Sequence, residues 1–202
     1  SVDNAILICK KGVDVENNMI QVVDIKDSIH KIGSTPIQHH YKQSQLKLPN
    51  YYFDFNLLDN NSILTKMESC NKLSDFAKSY FGIQTYDRNM YVSKSKINSD
   101  YEPVIDGLNV KPYYLSPHTE YVNFIPSAIK SGGNPAVYAY DRIVVRQIGL
   151  YPEGTICPAG VYTLNTIYNI YLWNNNVSLF YILALISSKL IHYYWTLRSS
   201  DS

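Results

Sequence analysis

The stretch Arg142-Ile143-Val144-Val145-Arg146-Gln147-Ile148-Gly149 decides how this chain is read. Ile143, Val145 and Gln147 alternate with Val144, Arg146 and Ile148, and a period of two built on β-branched residues predicts a strand. Arg146 falls on a face with two apolar residues. That is costly unless its guanidinium finds a carboxylate or emerges at a groove.

Outward from this strand, residues 83–170 carry short β-rich runs (90–92, 121–125, 160–164, 167–172) separated by Gly, Pro, Asn and Asp clusters. They read as a sheet with long loops. Upstream, residues 5–9 and 19–26 read as two strands, 31–50 as a polar linker with Pro36 and Pro49, and 51–58 as another strand. Asn60-Asn61-Ser62 supplies N-caps for a helix carrying Ile63, Leu64 and Met67. Leu73, Phe76, Ala77 and Tyr80 continue at helical spacing, with Gly82 as the stop. Ser178 to about Leu197 reads as one helix with a buried first half. The order predicts an α+β fold: an irregular, mainly antiparallel β core with a helix pair before it and a long C-terminal helix. Residues 1–58 read as lead-in strands and linker, either the tail of a preceding domain or an N-terminal part of the main one, and 59–202 as the main domain.

The bulk properties set bounds. A chain of 202 residues with 46% hydrophobic and 17% charged residues is globular and long enough for a real core. Its net charge of +1 supplies no global field toward a polyanion. Cys9, Cys70 and Cys157 are widely spaced, without a Cys-x-x-Cys, which points to a reducing cytoplasm and no disulfide framework. His39-His40 lacks a third metal ligand at useful spacing, so no metal site is expected. The most apolar window, 179–186, is far shorter than the roughly 20 residues a membrane helix needs. A start at Ser1 without a Met, with a strand-like run already at residues 4–10, reads as a fragment of a longer protein. The 19 Tyr residues read as codon bias, with an aromatic carbohydrate- or protein-binding module as the competing interpretation.

Four phrases then stand in order. They are Gly82-Ile83-Gln84-Thr85, Val104-Ile105-Asp106-Gly107-Leu108-Asn109-Val110-Lys111-Pro112-Tyr113, the Arg142 to Gly149 strand, and Tyr181-Ile182-Leu183-Ala184-Leu185-Ile186-Ser187-Ser188-Lys189-Leu190. Together they resemble the TaqI-like specificity domain, the target-recognition part of bacterial adenine methyltransferases and fused restriction-modification enzymes, over about residues 63–194. The resemblance implies a DNA methylase specificity-domain-like fold that binds double-stranded DNA. It also implies a covalently linked methyltransferase domain, outside this chain, that holds S-adenosylmethionine. Gln84, Thr85, Arg88 and Asn89 would form a reading loop, since Gln and Asn pair with adenine, Arg with guanine, and Thr touches a thymine methyl. Lys94, Lys96 and Lys111 would contact phosphates. Arg146 and Gln147 would read from the strand, and Gly107 would give its turn backbone freedom.

Catalytic motifs are missing from the sequence. Asn134-Pro135 runs into Ala136-Val137, and Lys111-Pro112-Tyr113-Tyr114 lacks the polar first residue and second proline of an Asn-Pro-Pro-Tyr tetrapeptide. Gly132-Gly133 lacks the strand-turn-helix context of a cofactor loop. Asp14 with Asp24-Ile25-Lys26 matches a nuclease pattern only loosely, and no Gly-x-Ser-x-Gly occurs. The expectation is site recognition without catalysis in this chain, the parent protein being an adenine methyltransferase with or without endonuclease activity. A specificity-subunit fragment of a multi-subunit restriction system is the alternative; there the closing helix would pack on partner helices.

Overall fold

The computed structural model describes residues 6–9, 12, 17–24, 37–46, 61–173 and 176–198. The chain divides into two compact units, Ser1–Glu68 and Ser69–Ser200.

In the first unit, β1 (Met19–Asp24) pairs antiparallel with β2 (Ile37–Lys42), from Met19 opposite Lys42 to Asp24 opposite Ile37. The polar run 31–50, expected as a linker, therefore contributes a strand. Its alternation of His39 and Tyr41 with Gln38 and His40 is a strand pattern carried by polar residues. Residues 6–9, expected as a strand, lie outside any sheet, with Ile6 and Ile8 almost fully exposed. Helix α1 (Asn61–Glu68) forms where its caps predict it. The expected strand at 51–58 lies outside the described residues.

The second unit is built on two four-stranded sheets. The first is wholly antiparallel, in the order β12 (Gly154–Cys157), β11 (Arg142–Arg146), β14 (Ile167–Leu172), β3 (Ala77–Phe81). The second runs β13 (Tyr162–Thr163), β6 (Tyr101–Ile105), β9 (Glu120–Asn123), β5 (Val92–Ser93), with the β13–β6 pair parallel. Two smaller pairs complete it: β4 (Gln84–Thr85) with β10 (Ile129–Ser131), and β7 (Val110–Lys111) with β8 (Tyr114–Leu115). The fold is thus mixed α+β, with several antiparallel sheets and few helices.

The alternation read in β11 places its side chains in separate cores. Ile143 and Val145 pack with Ala77, Ile170, Ile182 and Leu183, under helix α3 (Leu179–Ile186). Val144 packs on the other face with Ile105, Val110, Cys157 and Ile167. A third cluster, around Ile83, Val104, Val122, Tyr138 and Leu164, fills the second sheet.

Several helices differ from expectation. The helix pair is a single helix followed by a strand. Residues Leu73–Asp75 form one 3-10 turn, closed by the Asp75 carboxylate accepting from the Lys72 N–H at 2.7 Å. Ala77–Phe81 then extends along β14. Pairing across the sheet overrides the local helical spacing. The expected strand at 90–92 begins instead as a helical turn, α2 (Arg88–Tyr91), because Asp87 Oδ1 accepts from the N–H groups of Asn89 and Met90. The long C-terminal helix is two helices, α3 and α4 (Lys189–Arg198). Ser188 ends the first, donating its N–H to the Leu185 carbonyl, and its hydroxyl accepts from the Ile191 N–H of the next. Among the described residues, no helix is long and apolar enough to cross a membrane.

Gly82 does not stop a helix. A Cβ there would overlap the Leu164 carbonyl oxygen and lie 2.5 Å from its carbon, and a Cβ on Gly132 would overlap the Gly82 carbonyl. Three main chains cross at van der Waals distance. Around the crossing, the Ile83 N–H donates to the Thr163 carbonyl at 2.7 Å, and the Leu164 N–H to the Ile105 carbonyl at 2.9 Å.

Burial gives the core a pH signature. Cys157 is fully buried, and desolvation pushes its thiol from 9.0 up to about 11. Burial raises the Tyr138 and Tyr162 phenols as well. The native state therefore keeps protons that the unfolded chain releases. The contribution of these groups to stability is fully present below about pH 9 and falls as pH rises toward 11. For Cys157 alone the loss reaches about 3 kcal/mol. The urea midpoint is expected to drop over this window, and Cys157→Ala to soften the drop. A flat profile would contradict it.

Candidate nucleic-acid interface

The site residues expected from sequence fall into two groups on the second unit. In the first, Gln84 and Thr85 belong to strand β4 and are half-buried, tied to Ser131 and Ile129 of β10. They form the base of the expected reading loop rather than its tip. Tyr86 follows, strongly exposed, and Asp87 caps the turn that displays Arg88 and Asn89. The Arg88 Nη2 atom donates to Glu120 Oε2 at 2.6 Å while its side chain stays half exposed. Lys94 and Lys96 lie beyond β5 on the exposed loop that leads to β6.

The second group, Lys111, Arg146 and Gln147, contributes Arg146 to an open cavity of about 340 Å³ lined by Asp106, Gly107, Leu108, Arg146, Ile148 and Thr166. Here the second and third sequence phrases meet. Asp106 starts a 3-10 turn over Gly107–Asn109, its carboxylate accepting from the Leu108 N–H at 2.8 Å. The Asn109 side chain accepts from the Asp106 N–H at 2.9 Å and donates to the Pro117 carbonyl at 2.8 Å. The Gly107 N–H donates to Thr166 Oγ1 at 2.9 Å. Gly107 adopts no positive φ; its small size instead lets the turn sit against Thr166, where a Cβ would lie 3.2 Å from the carbonyl oxygen.

Arg146 enters this cavity wall from the end of β11. Its Nη1 donates to Glu153 Oε2 at 2.7 Å, both side chains being about 30% exposed. The pair resolves the cost read from sequence: the guanidinium is partnered and also faces an opening. Each of the two arginine pairs joins a single terminal nitrogen to a single oxygen, and a guanidinium carries five N–H donors. Gln147 is exposed, and its N–H donates to the Thr166 carbonyl at 2.9 Å. Lys111 is exposed on β7 and stands opposite Tyr114. The two groups are joined through the sheet, since Glu120, the partner of Arg88, pairs with Val104, two residues before Asp106.

Four participants escaped the sequence reading. Glu120 and Glu153 orient the two arginines from 32 and 7 residues away. Tyr151, in the loop that carries Glu153, stacks on His192 of α4 at 4.6 Å between ring centroids, so the closing helix braces that loop. Tyr113 occupies the hairpin tip with a φ of 60°. Only this last left a local signal, the Pro112-Tyr113 dipeptide between two short β runs.

The arrangement offers cationic and amide donors in two groups, one of which contributes Arg146 to the lining of an open cavity. Compared with known families, the chain matches at residues 102–202 the family described as the TaqI-like C-terminal specificity domain. No curated protein matches it.

Proposed function

Because the chain belongs to the TaqI-like C-terminal specificity domain family, we propose that it recognises a sequence in double-stranded DNA on behalf of a restriction-modification enzyme. The observation that supports this best is coincidence in the fold. The cavity lined by Asp106, Gly107, Leu108, Arg146, Ile148 and Thr166 lies wholly within the matched residues, as do Lys111 and Gln147. The group around Gln84, Thr85, Arg88, Asn89, Lys94 and Lys96 precedes the match and is linked to it through the pairing of β9 with β6.

In this reading the fold is DNA methylase specificity-domain-like, residues 59–202 form the recognition domain and residues 1–58 lead into it. Arg146 and Arg88 address base edges, Gln84, Thr85, Asn89 and Gln147 supplement them, and the three lysines hold phosphates. Methyl transfer belongs to a linked cytoplasmic domain that binds S-adenosylmethionine, and this chain selects where it acts.

Enrichment of a random-sequence duplex library on the chain, followed by affinity measurements on the enriched duplex across salt, tests the reading. Lys111→Ala is expected to weaken all duplexes alike and reduce the salt slope by about 1. Arg146→Ala is expected to cost about 1–3 kcal/mol and relax preference at one position. Absence of enrichment, or binding indifferent to salt, would overturn it.

One observation favours the alternative of a specificity-subunit fragment. Phe180, Tyr181 and Leu185 of α3, with Leu190 and Trp195 of α4, are all exposed. Such a stripe is suited to packing against partner helices.

A further inference from the structure

We propose that the Pro112-Tyr113 tip of the β7–β8 hairpin is a nucleobase wedge, with the Tyr113 ring entering the base stack of duplex DNA. This rests on the DNA-recognition reading above. The Lys111–Tyr114 pair leaves Pro112 and Tyr113 as the two turn residues. Pro is suited to the first turn position, whereas a positive φ at the second calls for Gly or Asn. Tyr113 is instead the single non-glycine residue with positive φ among the described residues. Strain of this kind persists when surrounding structure holds it, and it concentrates where function needs it.

Packing does not explain the choice of residue. The Tyr113 side chain is 62% exposed, so the fold does not require a ring at this position. The backbone does the holding: the Tyr113 N–H donates to the Gly154 carbonyl at 3.1 Å. Gly154 adjoins Glu153, the partner of Arg146, so the tip is fastened one residue from the carboxylate that holds the cavity-lining guanidinium. The segment also carries exposed Leu108 and Lys111. An aromatic residue on a rigid turn, flanked by a phosphate-seeking cation, has the makings of the wedges that unstack a base step. Stacking on a ring tolerates any base, so such a wedge adds affinity without adding a base preference of its own.

The test uses the duplex enriched on the chain, carrying 2-aminopurine at each position in turn, since its emission rises when a base leaves its stack. The wild-type chain is expected to raise emission at one step, and Tyr113→Phe to retain both the signal and the affinity. Tyr113→Ala and Tyr113→Gly are expected to lose the signal and bind about tenfold more weakly. Tyr113→Gly, freed of the φ penalty, is expected to melt at a higher temperature while binding worse, which a merely structural tyrosine would not produce. If Tyr113→Ala binds within about twofold of wild type, or weakens binding while the wild type perturbs no base step, the wedge is overturned. A wild-type chain that binds no duplex removes the DNA reading itself, a different and distinguishable failure.

Discussion

Gly82→Ala is expected to prevent the second unit from reaching its native fold, at a cost of about 4 kcal/mol or more. The added methyl would overlap the Leu164 carbonyl, a backbone atom that no rotamer change can move aside. Relief would need the 163–164 segment to withdraw, breaking its hydrogen bonds to Ile83 and Ile105. The other glycines grade the effect. Gly132→Ala meets the Gly82 backbone at a φ of +76° and should be comparably severe. Gly160 has a φ of +81° but open space around it, so alanine there should cost only about 1 kcal/mol. Gly12 meets nothing within 4 Å, and its replacement should be nearly neutral. Circular dichroism and urea unfolding of the four variants read this order directly. A Gly82→Ala chain as stable as wild type would mean that the three-chain crossing is wrong.

The second large effect is expected at Arg142, whose residue is fully buried. Its Nε donates to Asn169 Oδ1 at 2.7 Å, Nη2 donates to the Val161 carbonyl, and Nη1 reaches the Tyr140 and Pro158 carbonyls at 3.4 Å. The guanidinium also lies 5.1 Å from the Tyr138 ring centroid. Desolvation lowers its pKa, opposed by the neighbouring Cys157, Tyr138 and Asp141, and its terminal nitrogens donate to main-chain carbonyls. Asn169 passes the network on to Thr163, joining β11, β14 and β13. Arg142→Met leaves several buried acceptors unsatisfied, for about 3 kcal/mol of lost stability. Arg142→Lys should fare little better, because an ammonium cannot span the planar fork of acceptors. The urea midpoint should fall in both with the m-value unchanged. An unaltered midpoint in Arg142→Met would show that the network contributes nothing.

These two residues also mark where sequence reading stops. β11 was legible because its period of two is local, and Ile167–Leu172 was legible as a β-branched and aromatic run. The strand Ala77–Phe81 was not, since Leu73, Phe76, Ala77 and Tyr80 have helical spacing and the pairing that wins lies some 90 residues away in β14. The break at Ser187-Ser188 is local, but serine is tolerated within helices, and only the capping hydrogen bond reveals it. Of the candidate site, the residue types were readable and their grouping was not. Gln84 and Thr85 read locally as part of a loop and are half-buried strand residues. Arg146 needs either a carboxylate or a groove by its place in the strand, and it has both. Gly82 and Gly107 stand out in the sequence, but the reason for each lies in a main chain distant in sequence.

The β7–β8 hairpin is fastened at its tip by main-chain atoms, the Tyr113 N–H on the Gly154 carbonyl. An attachment that ignores side-chain identity leaves the tip free to change residues while the scaffold beneath stays as it is. On the DNA-recognition reading, the strength of duplex binding can then be tuned through residues 111–114 with little disturbance to folding, while the choice of bases stays with residues elsewhere.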